Sequence, residues 1–160
     1  MTIQVGDKIP SATLMTMTAD GPGPVSTDDY FAGRKIVIFS VPGAFTPTCS
    51  AKHLPGFVEK ADAFTGKGVD EIACFAVNDV FVMHAWGESS AAAGKVTMLA
   101  DGNGDFTKAM GLEMDASGFG MGLRSQRFSM IVDNGTVTEL NVEEPGAFQL
   151  SSAEHALSQL

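Results

Sequence analysis

The chain has 160 residues, with 10 basic and 19 acidic side chains and a formal net charge of −9. This length predicts a single domain over residues 1–160, and 44% hydrophobic with 18% charged residues excludes a disordered chain. Two cysteines are too few for a disulfide scaffold or a four-thiolate metal site, and the acidic balance argues against nucleic acid as a partner.

The first residues carry no targeting pattern. Residues 1–7 lack a basic region followed by an apolar run, so a secretory signal is not expected. No stretch approaches the ~18 consecutive apolar residues of a membrane span. We therefore expect a cytoplasmic protein without membrane binding, in a compartment where thiols stay reduced.

The predicted strands are runs rich in β-branched and apolar residues. The run at 36–41 is almost entirely apolar, which indicates a strand buried on both faces. A Gly-Pro cluster at 21–24 predicts a turn after the first strand, and Asp133-Asn134-Gly135 predicts a hairpin between the last two. The predicted strands cover residues 12–18, 36–41, 72–77, 96–100, 128–132 and 136–142.

The predicted helices alternate with these strands. The longest pattern, at 47–65, should kink at Pro55 and end at Gly66 and Gly68. Asn78-Asp79 is a good cap for the next helix. The predicted helices cover residues 47–65, 80–91, 105–110 and 151–160. This order predicts an α/β sandwich, in which a mixed central sheet is flanked by helices on both faces.

A cysteine follows the turn after the buried strand. Thr46 is a good N-cap and Pro47 suits the first helical position, so Cys49 falls in the first turn. Unpaired N–H groups and the positive end of the helix dipole there stabilise a thiolate. The alternative is that Cys49 is a small buried hydrophobe and Thr46 only a cap.

These residues match a known pattern. Pro42-x-x-x-Thr46-x-x-Cys49 resembles the active-site motif of peroxiredoxins, and residues 42–50 with 53–57 closely resemble the type II (class 5) branch. Further matching stretches lie at residues 68–72, 77–79, 81–83, 85–86 and 124–128. The resemblance implies a thioredoxin-like fold and a thiol peroxidase for hydrogen peroxide and organic hydroperoxides, with no bound metal or cofactor.

The resemblance also assigns roles to residues. Cys49 matches the peroxidatic nucleophile, whose thiolate attacks a hydroperoxide and becomes a sulfenic acid. Thr46 matches the threonine that hydrogen-bonds in the pocket. Pro42 matches the proline that shields the sulfur, and Gly43 and Phe45 belong to the same substrate pocket.

Basic residues near this motif are the second part of the predicted site. Arg124 matches the arginine that stabilises the thiolate and polarises the peroxide, while its alternative is a surface arginine paired with an acid. Strand alternation predicts that Arg127 points elsewhere. His53 follows Cys49 by four positions, so it shares a helix face with Cys49 and is a structural or tuning residue.

The second cysteine bears on the reductant. Cys74 lies in a predicted buried strand, which favours a structural role over a resolving role that would need local unfolding. Some class 5 members carry a resolving cysteine near the C-terminus, and this sequence has none there. The resemblance therefore implies recycling by glutathione and glutaredoxin, with thioredoxin and Cys74 as the alternative, and a homodimer.

Two other functions use a reactive cysteine. A peroxide sensor would use the same Cys49 thiolate to change partner binding instead of removing peroxide. An oxidoreductase of protein disulfides would need a C-x-x-C motif, and the sequence has none.

Overall fold

The computed structural model describes residues 1–48 and 51–160, while the side chains of residues 49 and 50 lie outside the described part. The strands are β1 Thr13–Thr18, β2 Gly21–Ser26, β3 Lys35–Ser40, β4 Glu71–Ala76, β5 Thr97–Ala100, β6 Glu113–Asp115, β7 Leu123–Ser125, β8 Phe128–Asp133 and β9 Thr136–Val142. The helices are α1 Thr27–Phe31, α2 Leu54–Glu59, α3 Ala61–Gly66, α4 Val80–Ser89, α5 Asp105–Met110 and α6 Ala153–Ser158. A π-helical turn, Cys49–His53, precedes α2, and a 3-10 turn, Ser117–Phe119, lies between β6 and β7.

Seven strands form one mixed sheet in the order β2-β1-β5-β4-β3-β8-β9. The three central strands β3, β4 and β5 are parallel, and the others are antiparallel to their neighbours. The β8–β9 hairpin turns through Asn134 at φ 48° and Gly135 at φ 79°. Positive φ at both positions is what a tight two-residue hairpin requires. The predicted parallel core with an added antiparallel hairpin is confirmed.

Helices cover both faces of the sheet. One face packs α2, α3, α4 and α6 against Phe39 and Cys74, with Trp86 from α4 fully buried there. The other face packs α1 and α5 against Ile38 and Phe75. The predicted α/β sandwich is therefore confirmed. Within residues 1–48 and 51–160, no helix has both the length and the apolar content to cross a bilayer.

The sequence predicted a turn at the Gly-Pro cluster, and this prediction is wrong, because the cluster forms strand β2. Pro22 lies opposite Met17 and Pro24 opposite Met15, and the chain reverses at residues 19–20 instead. β2 is the edge strand of the sheet. An edge strand tolerates proline because one side of its backbone has no neighbouring strand to bond.

The helical segment predicted for 47–65 is confirmed in its extent, but it is less regular than one helix. Helical backbone begins at Pro47, passes through the π-helical turn Cys49–His53 directly before Pro55, continues as α2 and is interrupted at Lys60 before α3. Proline has no N–H to donate to the preceding turn, so the π-helical irregularity lies where the sequence predicted a kink. The predicted end is confirmed, because α3 stops at Gly66 and Gly68 takes φ 88°.

A small ribbon of β6 and β7 was not predicted. Each strand has three residues, which is too short for a detectable period. The Ser40 hydroxyl, at the end of β3, donates to the Ser125 hydroxyl of β7 over 2.8 Å, and both side chains are fully buried. This hydrogen bond holds the ribbon beside the carboxyl end of β3.

Candidate active site

The loop of residues 41–46 leaves the carboxyl end of β3. Val41 N–H donates to the Phe75 carbonyl of β4 over 3.3 Å, so the sheet pairing extends one residue beyond β3. The Thr46 hydroxyl donates to the Gly43 carbonyl over 2.8 Å, which closes the loop. Phe45 between them takes φ 65°, and the residue is 53% exposed. Pro42 is half-buried and Gly43 is buried.

The loop is tied to the neighbouring strand by Asn78. Ala44 N–H donates to Asn78 Oδ1 over 2.9 Å. Asn78 follows β4, whose carboxyl end meets that of β3 at one edge of the sheet because the two strands are parallel. Asp79 caps α4 by accepting from Val82 N–H over 2.8 Å, as predicted. Sequence reasoning assigned Asn78 only to that cap and missed its role in holding the loop.

Arg124 packs against the same loop. A Cβ atom placed on Gly43 would lie 3.2 Å from Arg124 Nη1, 3.2 Å from Thr46 Cγ2 and 3.1 Å from Met121 Cε. Arg124 Nε donates to the Met121 carbonyl over 2.9 Å, which fixes the direction of the half-buried side chain. The structure thus brings Gly43, Thr46 and Arg124 together, and a side chain at position 43 would require one of these neighbours to shift by a few tenths of an ångström.

Arg127 reaches the other end of the Cys49–His53 turn. Its Nη1 lies 2.9 Å from His53 Nδ1, and its guanidinium carbon is 5.8 Å from the centre of the Phe148 ring. The expectation that Arg127 points elsewhere is wrong. β7 ends at Ser125, and Gln126 N–H bonds to the Leu112 carbonyl, so strand alternation does not continue to residue 127.

His53 is buried between three aromatic rings and two polar partners. Its ring centre is 4.7 Å from Phe39, 4.9 Å from Phe148 and 5.7 Å from Phe57, and Nε2 lies 2.9 Å from the Ser151 carbonyl. Burial, followed by the nearby Arg127 charge, lowers the pKa of His53 to about 3. His53 is therefore neutral, and its partners place the proton on Nε2 and leave Nδ1 as the acceptor.

Glu143 organises the segment that carries this carbonyl. Its Oε2 accepts from Gln149 N–H over 2.7 Å, from Ser151 N–H over 2.8 Å and from the Ser151 hydroxyl over 2.7 Å. Burial raises the pKa of Glu143, but these hydrogen bonds outweigh burial and lower it below its ordinary value. The ionised Glu143 thus fixes residues 149–151 against His53.

The two cysteines differ in what the structure describes. The predicted place of the Cys49 thiol lies outside the described residues, so that prediction stays as it stands. Cys74 is fully buried in the middle of β4, opposite Phe39 of β3 and Met98 of β5. The predicted burial of Cys74 is confirmed.

The burial of His53 makes the stability of the fold depend on pH. The unfolded chain binds a proton at His53 below pH about 6.5, whereas the folded chain does so only near pH 3. The free energy of unfolding therefore includes the full contribution of the neutral His53 above pH 6.5. This contribution is lost as the pH falls toward 3, by up to about 1.4 kcal/mol per pH unit. Denaturant unfolding between pH 4.5 and 7.5 should show wild type losing stability more steeply than His53→Phe. Parallel curves for the two proteins would contradict the neutral state of His53.

Comparison with known proteins agrees with this arrangement. The Redoxin family model matches residues 4–157. The chain is 54% identical to the chloroplastic peroxiredoxin-2E-2 of Oryza sativa subsp. japonica, covering 99% of this chain and 73% of that protein. It is 48% identical to peroxiredoxin-2D of Arabidopsis thaliana, covering 99% and 98%.

A solved structure extends the likeness to the whole fold. Reduced Prx3 of Vibrio vulnificus in complex with H2O2 is 54% identical, covers 99% of both chains and superposes with a TM-score of 0.96. The central sheet and its flanking helices are therefore a thioredoxin-like fold. On these grounds the chain belongs to the redoxin family, as a type II peroxiredoxin that reduces peroxides with a thiol.

Proposed function

We propose that this peroxidase uses Cys49 as its nucleophile and is recycled by glutathione and glutaredoxin. The Cys49 thiolate attacks one oxygen of a hydroperoxide and the O–O bond breaks, so that sulfur gains the oxygen and the leaving alkoxide takes a proton. Glutathione then displaces water from the sulfenic acid to give a mixed disulfide. A second glutathione, through glutaredoxin, releases the Cys49 thiol and forms glutathione disulfide, without a bound metal or cofactor.

The observation that carries this proposal is the gathering of two guanidinium groups around the segment that contains Cys49. Arg124 lies against Gly43 and Thr46 on the loop before Cys49, and Arg127 is bonded to His53 after it. A fixed positive charge favours a thiolate and stabilises the charge that develops on the peroxide oxygens. Both arginines therefore support a nucleophile at position 49.

The position of Cys74 supports an external reductant. Thiol–disulfide exchange needs an accessible sulfur, and Cys74 is fully buried in a central strand. The chain has two cysteines, so no third thiol is present to resolve the sulfenic acid. Reduction by an external thiol such as glutathione does not require β4 to move.

Replacement of each cysteine tests this cycle. Cys49→Ser should abolish peroxide consumption, because the nucleophile is lost. Cys74→Ser should keep most of the turnover with glutathione and glutaredoxin, because Cys74 takes no part. Intact-mass spectrometry after peroxide and glutathione should show one glutathione adduct on Cys49 in wild type and in Cys74→Ser. A Cys49–Cys74 disulfide, together with a Cys74→Ser variant that reacts only once, would show that Cys74 is the resolving cysteine.

The two arginines are tested by matched glutamine variants. Arg124→Gln and Arg127→Gln should each slow the first reaction with peroxide by about 10²-fold, in the range seen when one donor to a developing oxyanion is removed. Each should also raise the pKa of the Cys49 thiol, measured by the pH dependence of alkylation. Arg34→Gln is the control, because Arg34 precedes β3 at the opposite end of the sheet and bonds to the Tyr30 carbonyl. An unchanged rate in either variant removes that arginine from the proposed site.

We further propose that two copies of this chain associate through the surface around the loop. Phe119, Phe81 and Phe45 are 86%, 64% and 53% exposed. Phe45 belongs to the loop, and the other two lie close in the chain to Met121 and Asn78, which contact the loop. Phe119 is near Met121 in the chain, Phe81 is in the first turn of α4, and Phe45 is in the loop itself. Grouped exposed aromatic residues are typical of a protein–protein interface.

Sedimentation velocity tests the dimer. The sedimentation of wild type should give a mass of about twice the 16.7 kDa of one chain. Phe119→Glu should shift the protein toward the monomer, because burying a carboxylate in the interface is costly. Val5→Glu is the control, since Val5 is also exposed but lies near the N-terminus, away from this surface. A monomeric wild type, or a Phe119→Glu variant that stays dimeric, would contradict this interface.

A further inference from the structure

His53 has an unusual combination of partners. It is fully buried, yet both of its ring nitrogens lie 2.9 Å from a polar atom, one on Arg127 and one on the Ser151 backbone. These contacts connect segments that are 74 and 98 residues apart in the chain. A buried histidine that only filled space could be replaced by phenylalanine without loss. His53 instead offers a donor to the Ser151 carbonyl and an acceptor to the Arg127 guanidinium.

Hydrogen bonds made by the C-terminal segment determine which His53 nitrogen donates and which accepts. Ionised Glu143 accepts two N–H groups and one hydroxyl from residues 149–151, which fixes the Ser151 carbonyl. That carbonyl accepts a hydrogen bond from His53 Nε2–H, so Nδ1 is the ring nitrogen that acts as an acceptor. Nδ1 then receives Arg127 Nη1–H. Glu143, Ser151, His53 and Arg127 thus form one directed chain of hydrogen bonds.

An arginine held in this way keeps its charge. A neutral imidazole accepts one N–H from the guanidinium and orients it without adding a negative charge beside it. A flexible side chain must also lose rotamer freedom before it can act on a transition state, and a group already fixed avoids that cost. The Arg127 guanidinium also lies over the Phe148 ring, 5.8 Å from its centre, which restricts it on one side.

We propose that His53 is a positioning residue of the peroxidase, which fixes the Arg127 guanidinium toward Cys49 and is itself held by the C-terminal segment of residues 143–151. This rests on the proposed roles of Cys49 and Arg127. The charged groups that face His53 are Arg127, from the segment before β8, and Glu143, from the segment after β9. The C-terminal segment is thereby part of the active site without contacting the substrate.

Two substitutions at position 53 separate hydrogen bonding from packing. His53→Phe keeps an aromatic ring but loses both polar contacts, and His53→Asn places an amide oxygen where Nδ1 was. In a Cys74→Ser background, His53→Phe should slow single-turnover oxidation of Cys49 by hydrogen peroxide about 10-fold or more and raise the pKa of the Cys49 thiol. His53→Asn should recover part of both effects. His84→Phe, at a half-exposed histidine of α4, should match wild type.

A double-mutant cycle tests whether His53 acts through Arg127. In an Arg127→Gln background, His53→Phe should change the peroxide rate by less than about twofold, because the group that it positions is gone. If the double variant instead slowed the peroxide reaction by the product of the two single-variant effects, the proposal would be overturned. So would a wild-type rate and an unchanged Cys49 pH profile in His53→Phe, since a merely structural residue would lower only the thermal stability. If wild type itself does not oxidise at Cys49, the proposed function fails instead.

If the His53 variants do not fold, wild type and a Glu143 variant provide the test. Nitrogen NMR of wild type should show a neutral His53 with its proton on Nε2 throughout pH 5–8. Glu143→Gln, which weakens the support of Ser151, should raise the pKa of the Cys49 thiol in the same direction as His53→Phe, by a smaller amount. A protonated His53 ring in that pH range, or a Glu143→Gln thiol identical to wild type, would contradict the proposed chain of hydrogen bonds.

Discussion

The burial of β3 on both faces is the constraint on which the site depends. Ile36, Val37, Ile38 and Phe39 have no exposed surface, and the strand is paired with β4 on one side and β8 on the other. A strand enclosed in this way cannot shift, so the loop that follows it starts from a fixed point. The Ser40–Ser125 hydrogen bond anchors the β6–β7 ribbon to the end of β3, and Arg124 is part of that ribbon.

The site also concentrates positive charge in an acidic protein. The chain has a net charge of −9 and ten basic residues, yet two arginines come within reach of one loop and one turn. Arg124 donates to the Met121 carbonyl and Arg127 lies against the neutral His53 ring, and neither of these two acceptors carries a negative charge. Such partners orient a guanidinium without neutralising it. An anionic nucleophile between them would therefore be stabilised.

Much of the fold was predictable from local pattern. The runs that became β3 and β4 are almost entirely apolar, the β8–β9 hairpin has its Asn-Gly turn, and α5 begins and ends at the predicted residues 105 and 110. The failures are at the edges of the structure. β2 is rich in glycine and proline and is stabilised by its pairing with β1, and β6 and β7 are too short to show a period. In these segments, tertiary pairing overrode local preference.

The sequence by itself determined the match of Pro42, Thr46 and Cys49 to the family motif, because a motif is a matter of residue type and order, and it proposed Arg124 as the accompanying cation. Only the tertiary structure decided which distant residues complete the site. Asn78 reaches the loop because β3 and β4 are parallel neighbours, and Arg127 reaches His53 because the chain bends after β7. Residues 143–151 close on His53 through hydrogen bonds across 98 positions of the chain. Contacts of that separation depend on the packing of the whole sheet, which no local pattern encodes.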